Sequence, residues 1–138
     1  MPRRGWRCAA QHPIGSGRFA FLALDLDAFL EQMPSDVWAA FEFRNASWLA
    51  DDVYDRLRAK NLALCIADTA VATTPIISSA DYGYFRLRDE GYQESDMKDW
   101  AETIRRQATN WRDEFVYFNH EEAGKGPEFA QLLTGMLS

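Results

Sequence analysis

Four stretches of this sequence put ionisable or amide groups at the end of an apolar run. They are Glu42 and Arg44 after Phe41, Asp68 after residues 62–67, Arg86 and Arg88 around Leu87, and Asn119 with His120 after Phe118. In an extended chain successive side chains alternate between faces, so Glu42 and Arg44 share one face and Phe41 and Phe43 take the other. Arg86 and Arg88 repeat the arrangement, with Phe85 and Leu87 opposite. Guanidinium groups grouped in this way can clamp a phosphate or carboxylate. Glu42 and Asp68 would then supply the acid or base of a reaction on it. A structural reading stands beside this one. Glu42 with Arg44, or Asp68 with Arg86, could be internal ion pairs, because a buried charge is costly unless it is paired.

Other chemistries find less support. His120 is followed by Glu121 and Glu122, a setting typical of a surface histidine. With His12 as the only other histidine, no metal site is expected. Ser47 has no histidine near it in sequence to act as its base, so a hydrolytic triad is not indicated. The net charge of −6 argues against nucleic acid as a partner, since that surface needs a positive field. Cys8 and Cys65 give neither a disulfide framework nor metal-ligand spacing, and Cys65 lies in an apolar run as a small buried hydrophobe. No run approaches the roughly 18 apolar residues of a membrane span. A reducing, cytoplasmic setting without membrane association is the expectation. No cofactor is indicated by any motif.

The elements that position these residues alternate in type. Residues 1–17, with Pro2, Gly5, Pro13, Gly15 and Gly17, show no sustained period and read as an irregular leader before a domain over 18–138. Apolar Leu26, Phe29, Leu30 and Met33 at helical spacing predict a helix over 25–33, ended by Pro34. A strand follows over 38–43. Ser47 or Asp51 caps a second helix reaching about Lys60, with Asn61 closing it. Residues 62–67 form a second strand, apolar enough to be buried on both faces. Residues 69–80, rich in Thr, Ser and Pro, read as a loop, and 81–87 as a third strand. Ser95 caps a long helix over 96–111 without a capping box, because Lys98 stands three residues on. A fourth strand over 115–118, a turn at Gly124 and Gly126, and a final helix from Pro127 to about Leu137 complete the plan. Strands alternating with helices imply parallel pairing through right-handed crossovers. That pattern fits an open doubly wound sheet and a (β/α) barrel equally, although no glycine fingerprint for a dinucleotide follows the first strand.

Several blocks, in order, carry a family resemblance. Phe41-Glu42-Phe43-Arg44-Asn45-Ala46-Ser47-Trp48 resembles the E-F-R-x-x-S-W block of the YecE-like family, domain of unknown function 72. Leu64-Cys65-Ile66-Ala67-Asp68-Thr69 is similar to its I-A-D-[ST] strand end, and Tyr84-Phe85-Arg86-Leu87-Arg88 to its Y-x-R-L strand. Tyr92 and Trp100 fit its Y-x-x-x-x-L-x-x-W stretch with Met97 in place of Leu, while Arg88 stands where many members have His. Val116-Tyr117-Phe118-Asn119-His120 and Gly126-Pro127 resemble its closing strand and turn. The resemblance implies an α/β fold, a partial TIM-type barrel of about four parallel strands with helices on one face, holding only the last four βα units.

The expected site is therefore the C-terminal ends of those strands. Glu42 and Asp68 are the candidate catalytic residues; Arg44, Trp48, Arg86, Arg88, Asn119 and His120 are the candidate binding residues. The expected ligand is a small anion, and a hydrolase-like activity on it is one form of the expectation. A non-catalytic binding module and an inactive fragment of a longer barrel are the others. Free strand edges in half a barrel also point to a partner, either a second copy or the missing N-terminal half.

Overall fold

The structure, a computed structural model, describes residues 7–8, 26–119 and 124–138. His120 and the stretch from Ala9 to Asp25, within which the predicted leader ends, lie outside the described residues. Strand β1, Arg7–Cys8, falls inside that leader segment. Helix α1 occupies 26–31. Then follow β2 (Ala39–Phe41), a 3-10 turn (Ala46–Trp48), α2 (Asp51–Ala59), β3 (Ala63–Asp68), β4 (Tyr82–Leu87), α3 (Glu94–Gln107), β5 (Asp113–Phe118) and α4 (Lys125–Leu137).

The strands form one sheet in the order β1-β2-β3-β4-β5, and each neighbouring pair is parallel. Strand order follows chain order without a reversal, so the sheet has no switch point of the kind that defines a doubly wound fold. The pleat assigns the two faces. Leu62 and Leu64 pack with Leu26, Leu30, Val53, Tyr54 and Leu57 of α1 and α2. Ile66, Phe85 and Leu87 pack with Met97, Ala101 and Ile104 of α3 and Leu133 of α4. Leu64 and Ile66 point to the same side of β3, so all the described helices cover one face. The sheet is not closed, and β1 and β5 are its edges among the described residues.

The other face is lined differently on its two sides. Ala40, Ala63, Cys65 and Tyr82 form its buried cluster, with Tyr84 and Phe115 packed beside them. The small residues of β3 let long side chains of β4 lie flat across it. The Tyr82 hydroxyl passes over β3, accepts from the Ala39 amide at 2.9 Å and donates to the Ala39 carbonyl at 2.9 Å. Trp38 stacks on the Tyr82 ring at 5.1 Å, closing the lower part of this face.

Local rules explain the element ends. Asn61 adopts φ 52, the left-handed conformation that asparagine tolerates at a helix exit. Its side chain exchanges two 2.8 Å hydrogen bonds with Asp81, fixing the exit of α2 to the start of β4. At α3 the expected Ser95 cap is replaced by Gln93, which forms a capping box with Asp96. An Asp at the third helical position makes the reach-back bond more usual for Glu or Gln, so the helix starts earlier than expected. It also ends earlier, at Gln107, which frees Trp111 to donate from Nε1 to Ser78 Oγ at 2.9 Å.

Candidate functional site

The strand ends deliver their polar residues to two different faces. Glu42 and Arg86 share the inner face with Ala40, Cys65 and Tyr82. Arg86 Nη1 crosses β3 and donates to both Glu42 oxygens at 2.8 Å, with each side chain 16% exposed. Cys65, fully buried between them in the sheet, has its Sγ 3.9 Å from Glu42 Oε2. Of the two structural pairs that the sequence suggested, neither forms. Glu42 pairs with Arg86, because Ala67 and Cys65 leave the space between β2 and β4 clear.

Asp68 points the other way. It continues the alternation of Leu64 and Ile66, and so faces the helices rather than Glu42. Its Oδ2 accepts from the Tyr92 hydroxyl at 2.6 Å, and its Oδ1 accepts from the Thr73 hydroxyl. Burial, and next the bond to Asp68, push the Tyr92 phenol above its ordinary range, so Tyr92 acts as a fixed donor. Thr73 reaches Asp68 because the 69–74 segment folds back onto the strand, with the Thr74 amide donating to the Ala67 carbonyl at 2.9 Å. The single mouth expected from Glu42, Arg44, Asp68 and Arg86 thus divides, since one residue of offset along β3 is enough to reverse a side chain.

Trp48 is likewise removed from the mouth. It is buried in the helix-side core and stacks on Phe43 at 5.1 Å with 3° between the rings. The remaining cations lie beyond the C-terminal ends of β2 and β4. Arg44 follows Glu42 with the same parity and is exposed; Arg88 follows Arg86 and is exposed. Among the described residues neither makes an ion pair. The Arg88 amide donates to the Asp68 carbonyl at 2.8 Å and the Asn119 amide to the Leu87 carbonyl at 3.1 Å, so the ladder carries both residues beyond the strands in register. Among the described residues no group of three or more His, Cys, Asp or Glu gathers.

Three residues near these strand ends were not singled out as site residues from sequence. Tyr92 and Thr73 hold Asp68, and nothing in their spacing signals it, because the contacts span 24 and 5 residues of folded chain. Tyr117 lies in register with Arg86 and is 53% exposed. Its parity with Asn119 was the available signal, hidden in an otherwise apolar strand.

This architecture is shared by known proteins. A DUF72 family protein of Thermotoga maritima matches with a TM-score of 0.73 at 23% identity, over 83% of this chain and 51% of that one. A DUF72 family protein of Enterococcus faecalis matches with a TM-score of 0.69 at 18% identity, over 91% of this chain and 57% of that one. The chain spans about half the length of these solved relatives. None of the curated proteins matches it. The family model described as Protein of unknown function DUF72 matches residues 17–138, and the chain, YecE-like in the motifs it carries, belongs to that family.

Proposed function

We propose that this chain binds a small anion, a phosphate or a carboxylate, at the C-terminal ends of its parallel strands, where such folds place their ligands. The observation that carries this reading is the contrast among three arginines. Arg86 is committed to Glu42, whereas Arg44 and Arg88 are exposed at the same end of β2 and β4 and have no ion-pair partner among the described residues. Strands two apart in a sheet are separated by about 10 Å, a gap that two guanidinium side chains close around one anion. Asn119 stands beside Arg88 as a neutral donor.

Any catalysis falls to Glu42, which shares the face of these arginines. Asp68 has both oxygens engaged on the far side. Binding without turnover is the second reading, favoured by the ion pair that occupies Glu42. The sequential strand order, the described helices on one face and the open edges fit a segment of a (β/α) barrel, and a second copy or the N-terminal half of such a barrel is the proposed partner. A cytoplasmic setting fits the buried thiol of Cys65. Among the described residues no helix is long and apolar enough to cross a membrane.

Thermal-shift titration with inorganic phosphate and with acetate tests the anion site. Wild type is expected to gain stability with one of them, and Arg44→Ala and Arg88→Ala to lose that gain. Stabilisation that both variants retain in full removes the arginines from the site and ends the reading.

A further inference from the structure

We propose that the ligand of this mouth carries a planar ring next to its anionic group, and that Tyr117 is the residue that receives the ring. The inference rests on the anion site proposed above and adds the class of molecule.

Tyr117 and Arg86 are direct register partners in a parallel pair, so their side chains project from the same face. Phe115, two positions earlier on β5, packs with Tyr84 and the inner cluster, which fixes that face as the one bearing Glu42 and Arg86. One step further along, the Asn119 amide bonds the Leu87 carbonyl and brings Asn119 beside Arg88. The inner mouth therefore presents a phenol ring, an amide and a guanidinium in succession along two neighbouring strands.

Tyr117 brings an exposed ring to this end of the sheet. Of the large apolar side chains exposed among the described residues, Trp38 is already stacked on Tyr82, Val71 lies in the loop after β3, and Leu132 lies on α4. Tyr117 is 53% exposed and has no ring neighbour among the described residues, while Phe115 on the same strand face meets Trp38 at 6.1 Å. A bare phosphate uses only charge and leaves this ring in water. An aryl or heteroaryl phosphate or carboxylate places its anion between Arg44 and Arg88 and its ring on Tyr117, gaining stacking contact as well.

Calorimetric titration of the full chain with methyl phosphate and phenyl phosphate, monoesters of like charge, separates the two contributions. Phenyl phosphate is expected to bind roughly three- to tenfold more tightly than methyl phosphate, the size of one aromatic contact. Tyr117→Phe should keep that advantage and Tyr117→Ala should abolish it. Equal affinity for the two esters in wild type, or an advantage that survives Tyr117→Ala, overturns the ring inference and leaves the anion site standing. Failure of both esters to bind overturns this inference, and where phosphate and acetate also fail to stabilise the chain the anion site falls with it.

Discussion

Arg86 reaches across β3 to hold both carboxylate oxygens of Glu42 through one nitrogen at 2.8 Å, joining β4 to β2 over a strand that contributes only Cys65 and Ala67 beneath it. Tyr82 makes the same crossing lower down, to the backbone of Ala39. These bridges tie three strands together on the face that carries none of the described helices, and they make the inner face a structural unit beside the proposed site.

The first prediction concerns that ion pair. Arg86→Ala leaves a mostly buried carboxylate without its partner and should cost about 3 kcal/mol in urea unfolding. The double variant Glu42→Leu with Arg86→Leu should recover most of the loss, because two apolar groups leave no charge stranded. A double variant as unstable as the single one would show that the bridge does more than satisfy its own charges.

Tyr92→Phe removes the donor to Asp68 Oδ2 while keeping the ring in the core against Phe129. A loss of about 2 kcal/mol is expected, the cost of a buried acceptor deprived of its bond. Anion affinity should not change, since Asp68 faces the helices. Altered binding in this variant would return Asp68 to the site.

Glu114 sets a pH dependence. Its Oε1 is buried with no hydrogen-bond partner among the described residues, and burial pushes the carboxyl from 4.5 up to about 7. The folded state therefore holds this proton more tightly than the unfolded chain. The stabilisation that it brings is complete below pH 4.5 and lost as the pH rises through about 7. Glu114→Gln should flatten that slope and be more stable than wild type at pH 8. Parallel stability profiles for the two proteins across that range would remove Glu114 as the cause.

Gly83 is required for space. A Cβ there would stand 2.3 Å from Trp111 Cε3, and the ring is held in place by its bond to Ser78. Gly83→Ala should destabilise the fold by roughly 1–3 kcal/mol through overpacking, with blue or red displacement of Trp fluorescence as the ring moves. An unperturbed melting curve would mean that Trp111 yields freely.

The sequence by itself determined the alternation of strands and helices, which side chains of each strand share a face, and the family. Those features are written locally: Leu26, Leu30, Val53 and Leu57 repeat at helical spacing, and Glu42 with Arg44 or Arg86 with Arg88 at strand spacing. Even the exit of α2 was legible, because Asn61 is one of the few residues that accept a left-handed backbone. Only the tertiary structure decided which strand-end charges meet. Faces are defined within a strand by parity, but the relation between the faces of two strands depends on register, and register is set by the packing of the whole sheet. Hence Glu42 found Arg86 rather than Arg44, Asp68 turned to Tyr92 on the helix side, and Trp48 sank into the core against Phe43. The capping of α3 by Gln93 escaped for a related reason: its partner Asp96 became a cap only once the chain before it was extended.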